Sequence, residues 1–423
     1  MRTLLVLAIY LGAFFLFAAC AQESGSLVTQ NPQPYVEPTY IPPDTKLERQ
    51  QFPWITLDGG ESDTEFNPRV DILFVTDNSD SMKDAQANLV KNIDRFTSEI
   101  VKNQQIDYHI GVISTWDDSE RFVKTKKDTY GMGELRFAKN SAGQQLPKRF
   151  VDRKDAPATL AATLKIGVAP YAEGGPENEV FFSPVLAALE KTGRGATNEE
   201  FFRADAQLVV IFMTDADEYA KSTVSSQEVI DALVASKGGN AEKVSVYGVL
   251  VGKNAPETSK DWGLRIHPTY HSECFDFNAK GKAVKNNGTC SPFGPDKLEA
   301  LIFKANEKIG STTETLRKQF IMNILSPKFG DDLATIGGDI KRKTLEKEIF
   351  LSQVPRQTEG QYQIRVRYGN ADQLAKGKGR VIERDIKKGW SYNPKTNSIR
   401  LSGDIKYEYI EGARFAVDVQ VYK

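Results

Sequence analysis

Cysteine and histidine are the scarcest reactive side chains here. The 423 residues hold 3 cysteines and 3 histidines, too few of the first for a disulfide-built scaffold and too few of the second for a histidine-rich metal centre. Any metal is therefore expected on oxygen ligands. An excess of one charge is missing too: Lys+Arg 55 against Asp+Glu 56 gives a formal net charge of -1, with no global basic field to attract nucleic acid. The dinucleotide glycine fingerprint, a Walker loop, a nucleophile elbow and a His-Glu-x-x-His pair are all absent, so no enzyme is expected. Such a length allows two or three domains of ordinary soluble composition. The odd number of cysteines makes their positions informative.

Only one long apolar run occurs, and it is at the start. Leu4 to Phe17 follows Met1 and Arg2 and leads through Ala18, Ala19 and Cys20 into polar Gln22, Glu23 and Ser24. The run is too short to span a membrane and reads as a signal peptide over residues 1–19. Phe17-Ala18-Ala19-Cys20 resembles a bacterial lipobox, although Phe17 stands where Leu is usual. The resemblance implies cleavage before Cys20 and acylation of its thiol and amine, anchoring the protein at about 0.8 kcal/mol per buried methylene. The other reading is an ordinary signal cut after Ala19. Ala21 in the next position looks like outer-membrane sorting in Gram-negative lipoproteins, so a lipid-anchored envelope protein is expected, on the periplasmic face or the cell surface. Residues 20–67 read as its tether, with Pro32, Pro34, Pro38, Pro42 and Pro43 among polar residues and no apolar period.

The pattern then becomes regular. Val70 to Thr76, Tyr108 to Ile113, Leu208 to Met213 and Val244 to Val251 are short apolar runs that predict buried strands, with Phe320 to Ile324 as a last one. Ala85, Leu89, Ile93, Phe96 and Ile100 recur at helical spacing, and further helices are expected around Val185–Leu189, Val229–Leu233, Leu298–Ile302 and Asp331–Lys347. Alternating strands and helices predict an α/β domain over residues 68–347, a doubly wound and mostly parallel sheet. Residues 252–297 interrupt it as a polar insertion. From 348 to 423, alternation at Tyr362, Ile364, Val366 and Tyr368 and at Phe415, Val417, Val419 and Val421 predicts a small antiparallel β unit, with Trp390 and Tyr392 in its core.

Asp77-Asn78-Ser79-Asp80-Ser81 follows the first of these strands and precedes the first helix. A carboxylate and two hydroxyls at alternate positions of a tight loop can converge on one point, and such hard oxygens suit Mg²⁺, Mn²⁺ or Ca²⁺. In that context the motif resembles the metal-ion-dependent adhesion site of von Willebrand factor type A domains. Gly174-Gly175-Pro176-Glu177 looks like that family's Gly-Gly-x-Thr loop, and Thr214-Asp215 like its distal aspartate. The resemblance implies a divalent cation, Mg²⁺ first, with Ser79 and Ser81 as direct ligands and Asp77 and Asp215 acting through water or hydrogen bonds. Glu177 stands where the family has threonine; as a ligand it would weaken the cation's pull on an acidic group, and otherwise it is a solvated loop carboxylate. Asp217 and Glu218 read as exposed charge beside the same mouth.

The resemblance implies a function in recognition, with a protein partner supplying an acidic residue to the cation in adhesion or surface binding. The alternative is an envelope scaffold whose metal site only stabilises its loop. A metal-activated hydrolase lacks an evident general base. His267 and His271, with Glu273 and Cys274 close behind, suggest zinc only on a helix, and Pro268 argues against one. Cys274 and Cys290 read more simply as a disulfide closing a loop of about 15 residues, worth about 3 kcal/mol in the chain-entropy model. His109, within a strand, reads as structural.

Overall fold

The computed structural model describes residues 53–57, 68–100, 106–253, 275–279, 283–289, 293–324, 326, 328–405, 410 and 412–422. The expected signal peptide, Cys20, nearly all of the tether, His267, His271, Glu273, Cys274 and Cys290 lie outside these residues.

Runs too short for helices and rich in β-branched residues form strands, and the longer periodic segments between them form helices. In chain order these are β1 (Ile55–Leu57), β2 (Arg69–Thr76), α1 (Lys83–Ile100), β3 (Asp107–Ser114), α2 (Glu120–Thr125), β4 (Val151–Asp152), α3 (Pro157–Leu164) and α4 (Phe182–Glu190). Then come β5 (Gln207–Met213), α5 (Ser226–Ala235), β6 (Val244–Leu250), a hairpin of β7 (Phe275–Phe277) and β8 (Ala283–Lys285), α6 (Asp296–Asn306), α7 (Thr313–Phe320), β9 (Ile321–Asn323) and α8 (Phe329–Leu345). The hairpin lies inside the segment read as an irregular insertion. The sheet runs β4-β3-β2-β5-β6-β9, parallel throughout except for β4, which pairs antiparallel with β3.

That order decides where a ligand can bind. The chain moves outward from β2 to β3, then returns across the sheet to β5 on the other side of β2. Where strand order reverses, the loops leaving the two neighbouring strands diverge and open a crevice at their carboxyl ends. Thr76 stands opposite Met213 in the β2–β5 register, so residues 77–81 and 214–218 emerge side by side. The core beneath is closed: α1 buries Leu89, Ile93, Phe96 and Ile100, and Phe74 meets Phe96 edge to face at 5.6 Å. At the opposite end of β2, buried Asp71 is matched by Lys237 Nζ at 3.1 Å and Arg203 Nε at 2.8 Å.

The remainder is antiparallel, as the alternation predicts. It comprises β10 (Lys347–Phe350), β11 (Gln357–Thr358), β12 (Gln361–Tyr362), β13 (Ile364–Asn370), α9 (Ala371–Ala375), β14 (Arg380–Ile382), β15 (Trp390–Asn393), β16 (Ser398–Leu401) and β17 (Ala413–Val419). One sheet runs β1-β17-β13-β14 and another β10-β16-β15. Trp390 is buried and donates its indole N–H to Ile382 O at 2.9 Å, and Tyr392 packs on Tyr362 at 4.7 Å. β1 lies within the stretch read as tether, yet Ile55 stands opposite Val419 and Thr56 Oγ1 donates to Asp418 Oδ1 at 2.8 Å. The folded body therefore begins earlier than its pattern suggests: Trp54–Lys423 form one compact unit around a continuous core.

Candidate functional site

Asp77 is pinned on every side. Its backbone N–H donates to Met213 O on β5 at 2.9 Å, and its carbonyl accepts from Gln86 Nε2 at 2.8 Å. The same Gln86 amide clasps Gly167, donating to its carbonyl at 3.0 Å and accepting its N–H at 2.9 Å. The Asp77 carboxylate is fully buried; Oδ1 accepts from Ser79 N at 2.8 Å and Oδ2 from Thr214 Oγ1 at 2.7 Å. Thr214 is held in turn by Ala216 N at 2.8 Å. With both oxygens engaged, Asp77 shapes the loop. The cluster continues through its neighbours: Ser79 Oγ lies 3.0 Å from Ser81 Oγ, which donates to Asp215 Oδ1 at 3.0 Å. Asp77, Ser79, Ser81 and Asp215, separated by up to 138 positions in sequence, thus meet at the strand-order reversal.

The third loop holds two glycines, an exposed Glu177 and a half-buried Glu179. Gly174 and Gly175 are required where they are: a Cβ on Gly174, at φ +86°, would meet Thr125 O at 2.3 Å, and one on Gly175 would meet Ala169 O at 1.7 Å. Glu177 is exposed, while its backbone N–H donates to Asp117 Oδ2 at 3.0 Å. Glu179 is the acid that comes within electrostatic reach of Asp77 and Asp215. Buried Asp117, just after β3, organises this turn by also accepting from Ser119 N at 2.8 Å and Arg121 Nη2 at 3.3 Å. Burial pushes the Asp117 pKa up, but these backbone donors outweigh it and leave it below the ordinary value. Neither Asp117 nor Glu179 carries a spacing signal; only the run of acids after Gly175 marks the loop.

Electrostatics set this end of the sheet apart. Burial, then Asp215, pushes the Asp77 carboxyl up to about 7. Burial, then Asp77, pushes Glu179 up to about 8. Among the described residues no salt bridge involves Asp77 or Glu179, whereas Asp71 at the other end has two cations. Asp217 and Glu218, expected as exposed charge, have structural duties instead. Asp217 accepts from Lys297 N and Leu298 N, both at 3.0 Å, capping α6. Glu218 is 2% exposed and accepts from Phe181 N at 2.7 Å and Phe182 N at 3.1 Å, capping α4. Helices whose own N-cap residues lack a suitable side chain, Phe181 and Pro295, borrow these carboxylates. His109 stacks on Phe150 at 4.2 Å, and burial lowers its pKa.

Among the described residues there is no group of three or more His, Cys, Asp or Glu placed to hold a metal. The cluster above is of another kind, because two of its three linked oxygens are serine hydroxyls. No helix among the described residues is long and apolar enough to cross a membrane.

No protein-family model matches this chain, and no curated protein matches it in sequence. Solved structures with some similarity include proximal thread matrix protein 1 from the mussel byssus, at 13% identity and TM-score 0.34, over 69% of this chain and 51% of that one. Others are a von Willebrand factor type A protein from Catenulispora acidiphila, at 11% and 0.31 over 90% and 68%, and the pilus adhesin SpaC from Lactobacillus rhamnosus GG, at 9% and 0.33 over 85% and 40%. The chain spans about half the length of the mussel protein it matches. At these scores the likenesses carry no argument about site or partner, and the fold rests on its own strand order.

Proposed function

We propose that this protein recognises a partner protein at the cell envelope through a divalent cation, Mg²⁺ first, held in the crevice between the loops after β2 and β5. The observation that carries this reading is the convergence of Ser79, Ser81 and Asp215 oxygens beside the buried Asp77 carboxylate, which forms no salt bridge among the described residues. Their successive 3.0 Å spacings are hydrogen-bond lengths. Ser79 and Ser81 would hold the cation directly and Asp215 through water or a hydrogen bond, and such a hard-oxygen set suits Mg²⁺.

When bound, the cation supplies an electrophile that attracts a carboxylate from outside. The chain's own residues do the rest. Asp77 fixes Ser79 through its backbone N–H and is itself oriented by Thr214. Ser79 and Ser81 offer neutral oxygens, which leave the ion's charge available to a partner. Glu179, in the part expected of Glu177, sets through its charge state how much of that attraction remains. The envelope location rests on the signal-like N terminus and Cys20.

Calorimetric titration of the whole chain with Mg²⁺ tests the site: wild type gives saturable binding, and the Asp77→Ala/Ser79→Ala double variant gives none. Crosslinking pull-downs from intact cells then test recognition, with capture lost in EDTA and in the double variant. Capture unchanged by both would end this reading. The scaffold reading has one observation in its favour, a cleft of about 520 Å³ in the β unit bordered by Trp54, Arg365 and Arg414. A large Mg²⁺-dependent melting shift with metal-indifferent capture would favour it.

A further inference from the structure

The face of the sheet β1-β17-β13-β14 turned away from the core carries charge. On β13, Ile364, Val366 and Tyr368 belong to the core and Arg365 and Arg367 alternate with them; on β17, Phe415, Val417 and Val419 alternate with Arg414, Ala416 and Asp418. Side chains two apart on a strand share a face, and the antiparallel register sets Arg365 opposite Asp418 and Arg367 opposite Ala416. A cleft of about 520 Å³ lies over this row, walled by Arg365, Arg367 and Arg414 and by one carboxylate, Asp418, with Trp54 beside them. Its lining therefore carries two positive charges in excess.

The hydrogen bonds decide which of that charge is available. Both Asp418 oxygens are filled: Oδ1 accepts from Thr56 Oγ1 and Arg367 Nη2, each at 2.8 Å, and Oδ2 from Arg367 Nε at 2.6 Å and Arg365 Nε at 2.9 Å. These donors match the lone pairs that an ionised carboxylate offers, so Asp418 can neutralise nothing more. Buried Arg367 turns its remaining Nη1 to Leu374 O at 3.1 Å. Arg365 differs. Its side chain is 40% exposed and only Nε is engaged, while its guanidinium lies 4.9 Å from the Trp54 ring centre. That stacking steadies the group and leaves Nη1 and Nη2, the fork that takes a carboxylate bidentately, without an acceptor among the described residues. Arg414 is exposed and has no acceptor there either.

Arg365 stands across from Asp418 and Arg414 lies four residues along β17 from it, so the two available guanidiniums spring from points about 13 Å apart along the strands, at about 3.3 Å per residue. An extended peptide lying along the sheet has the same repeat, and its residues i and i+4 face the same side. We propose that this cleft binds an acidic segment of a partner protein in extended form, with two carboxylates four residues apart meeting Arg365 and Arg414. The inference does not rest on the cation-dependent reading above, since no residue of the loops after β2 and β5 borders the cleft.

The probe is acetyl-Glu-Thr-Ser-Thr-Glu-amide, titrated into the full chain in EDTA and followed by saturation-transfer NMR. It is expected to bind at least about fivefold more tightly than the same peptide with glutamine at both ends. It is also expected to outbind acetyl-Glu-Thr-Ser-Glu-Thr-amide, whose carboxylates fall on opposite sides of an extended chain. Raising NaCl from about 50 to about 500 mM is expected to remove the preference. Arg414→Gln changes an exposed side chain without a partner among the described residues, so the fold is left intact, and is expected to cut the preference to about twofold. Arg365→Lys keeps the charge, loses the fork and is expected to lower it likewise. Wild-type protein that binds the glutamate and glutamine peptides alike, or an Arg414→Gln variant with the full preference, overturns the inference. So does a preference that emerges only after Asp58, Glu61, Asp63 and Glu65 are neutralised, which assigns the cleft to the chain's own acidic stretch. If the glutamate peptide is preferred but Mg²⁺ does not bind, the cleft stands and the cation reading falls. If Mg²⁺ binds and the peptides are not distinguished, the reverse holds.

Discussion

In the proposed site a cation would compete with protons for the carboxylates at the mouth of this sheet. Asp77 is pushed up to about 7 and Glu179 to about 8, chiefly by burial, so the folded chain retains protons that the unfolded chain has already lost near pH 5. Without a cation, stability therefore falls as pH rises from about 4 toward about 8, because the native state binds more protons across that window. A bound cation supplies the missing countercharge. The melting-temperature gain from Mg²⁺ is expected to be larger at about pH 8 than at about pH 5; scanning calorimetry showing equal gains would contradict this. Thr214→Val removes the donor to Asp77 Oδ2 and is expected to cost about 1–3 kcal/mol in chemical denaturation and to weaken Mg²⁺ binding. Asp77, Ser79 and Ser81 are legible in sequence because alternate positions of a tight loop after a buried strand can converge on one point, whereas Asp215 is legible only through the family resemblance of Thr214-Asp215. Glu179 is not legible. Gly-Gly-Pro-Glu-Asn-Glu does not say which acid turns inward, and the choice is made by Asp117, some 60 positions away, which ties down the Glu177 backbone.

At the scale of elements, the strands were readable because a parallel strand buried on both faces is a continuous apolar run. All seven residues of β6 are buried. The two-residue β4 and six-residue α2 are too short to show a period, and helix caps supplied from distant loops leave no local mark. Those caps give a direct test. Asp217→Ala is expected to destabilise the fold by about 1–2 kcal/mol by uncapping α6, without changing Mg²⁺ affinity beyond the effect of added flexibility. Gly175→Ala should act in the opposite proportion. Its Cβ would collide with Ala169 O at 1.7 Å, so the loop carrying Glu179 must move, and Mg²⁺ titration should register the loss alongside a lowered melting point.

Across the whole molecule, the α/β layer and the antiparallel sheets share one hydrophobic core, and α8 packs on α1 before running directly into β10. Residues 54–423 are therefore expected to melt in a single calorimetric transition; two resolved peaks would show that the β unit folds independently. Pattern reading divided the chain where its periodicity changes, which marks a change of architecture and does not reveal whether apolar faces are shared. It also missed β1, since Ile55-Thr56-Leu57 becomes a strand only through β17. That pairing has a mechanical consequence. Tension applied to the chain ahead of Trp54 enters the protein at β1, a three-residue edge ladder, and not at the layer that carries the proposed cation site. Under load this three-residue ladder is expected to shear before the longer parallel ladders that join β2 to β3 and β5, so that β1 yields while the loops after β2 and β5 stay assembled.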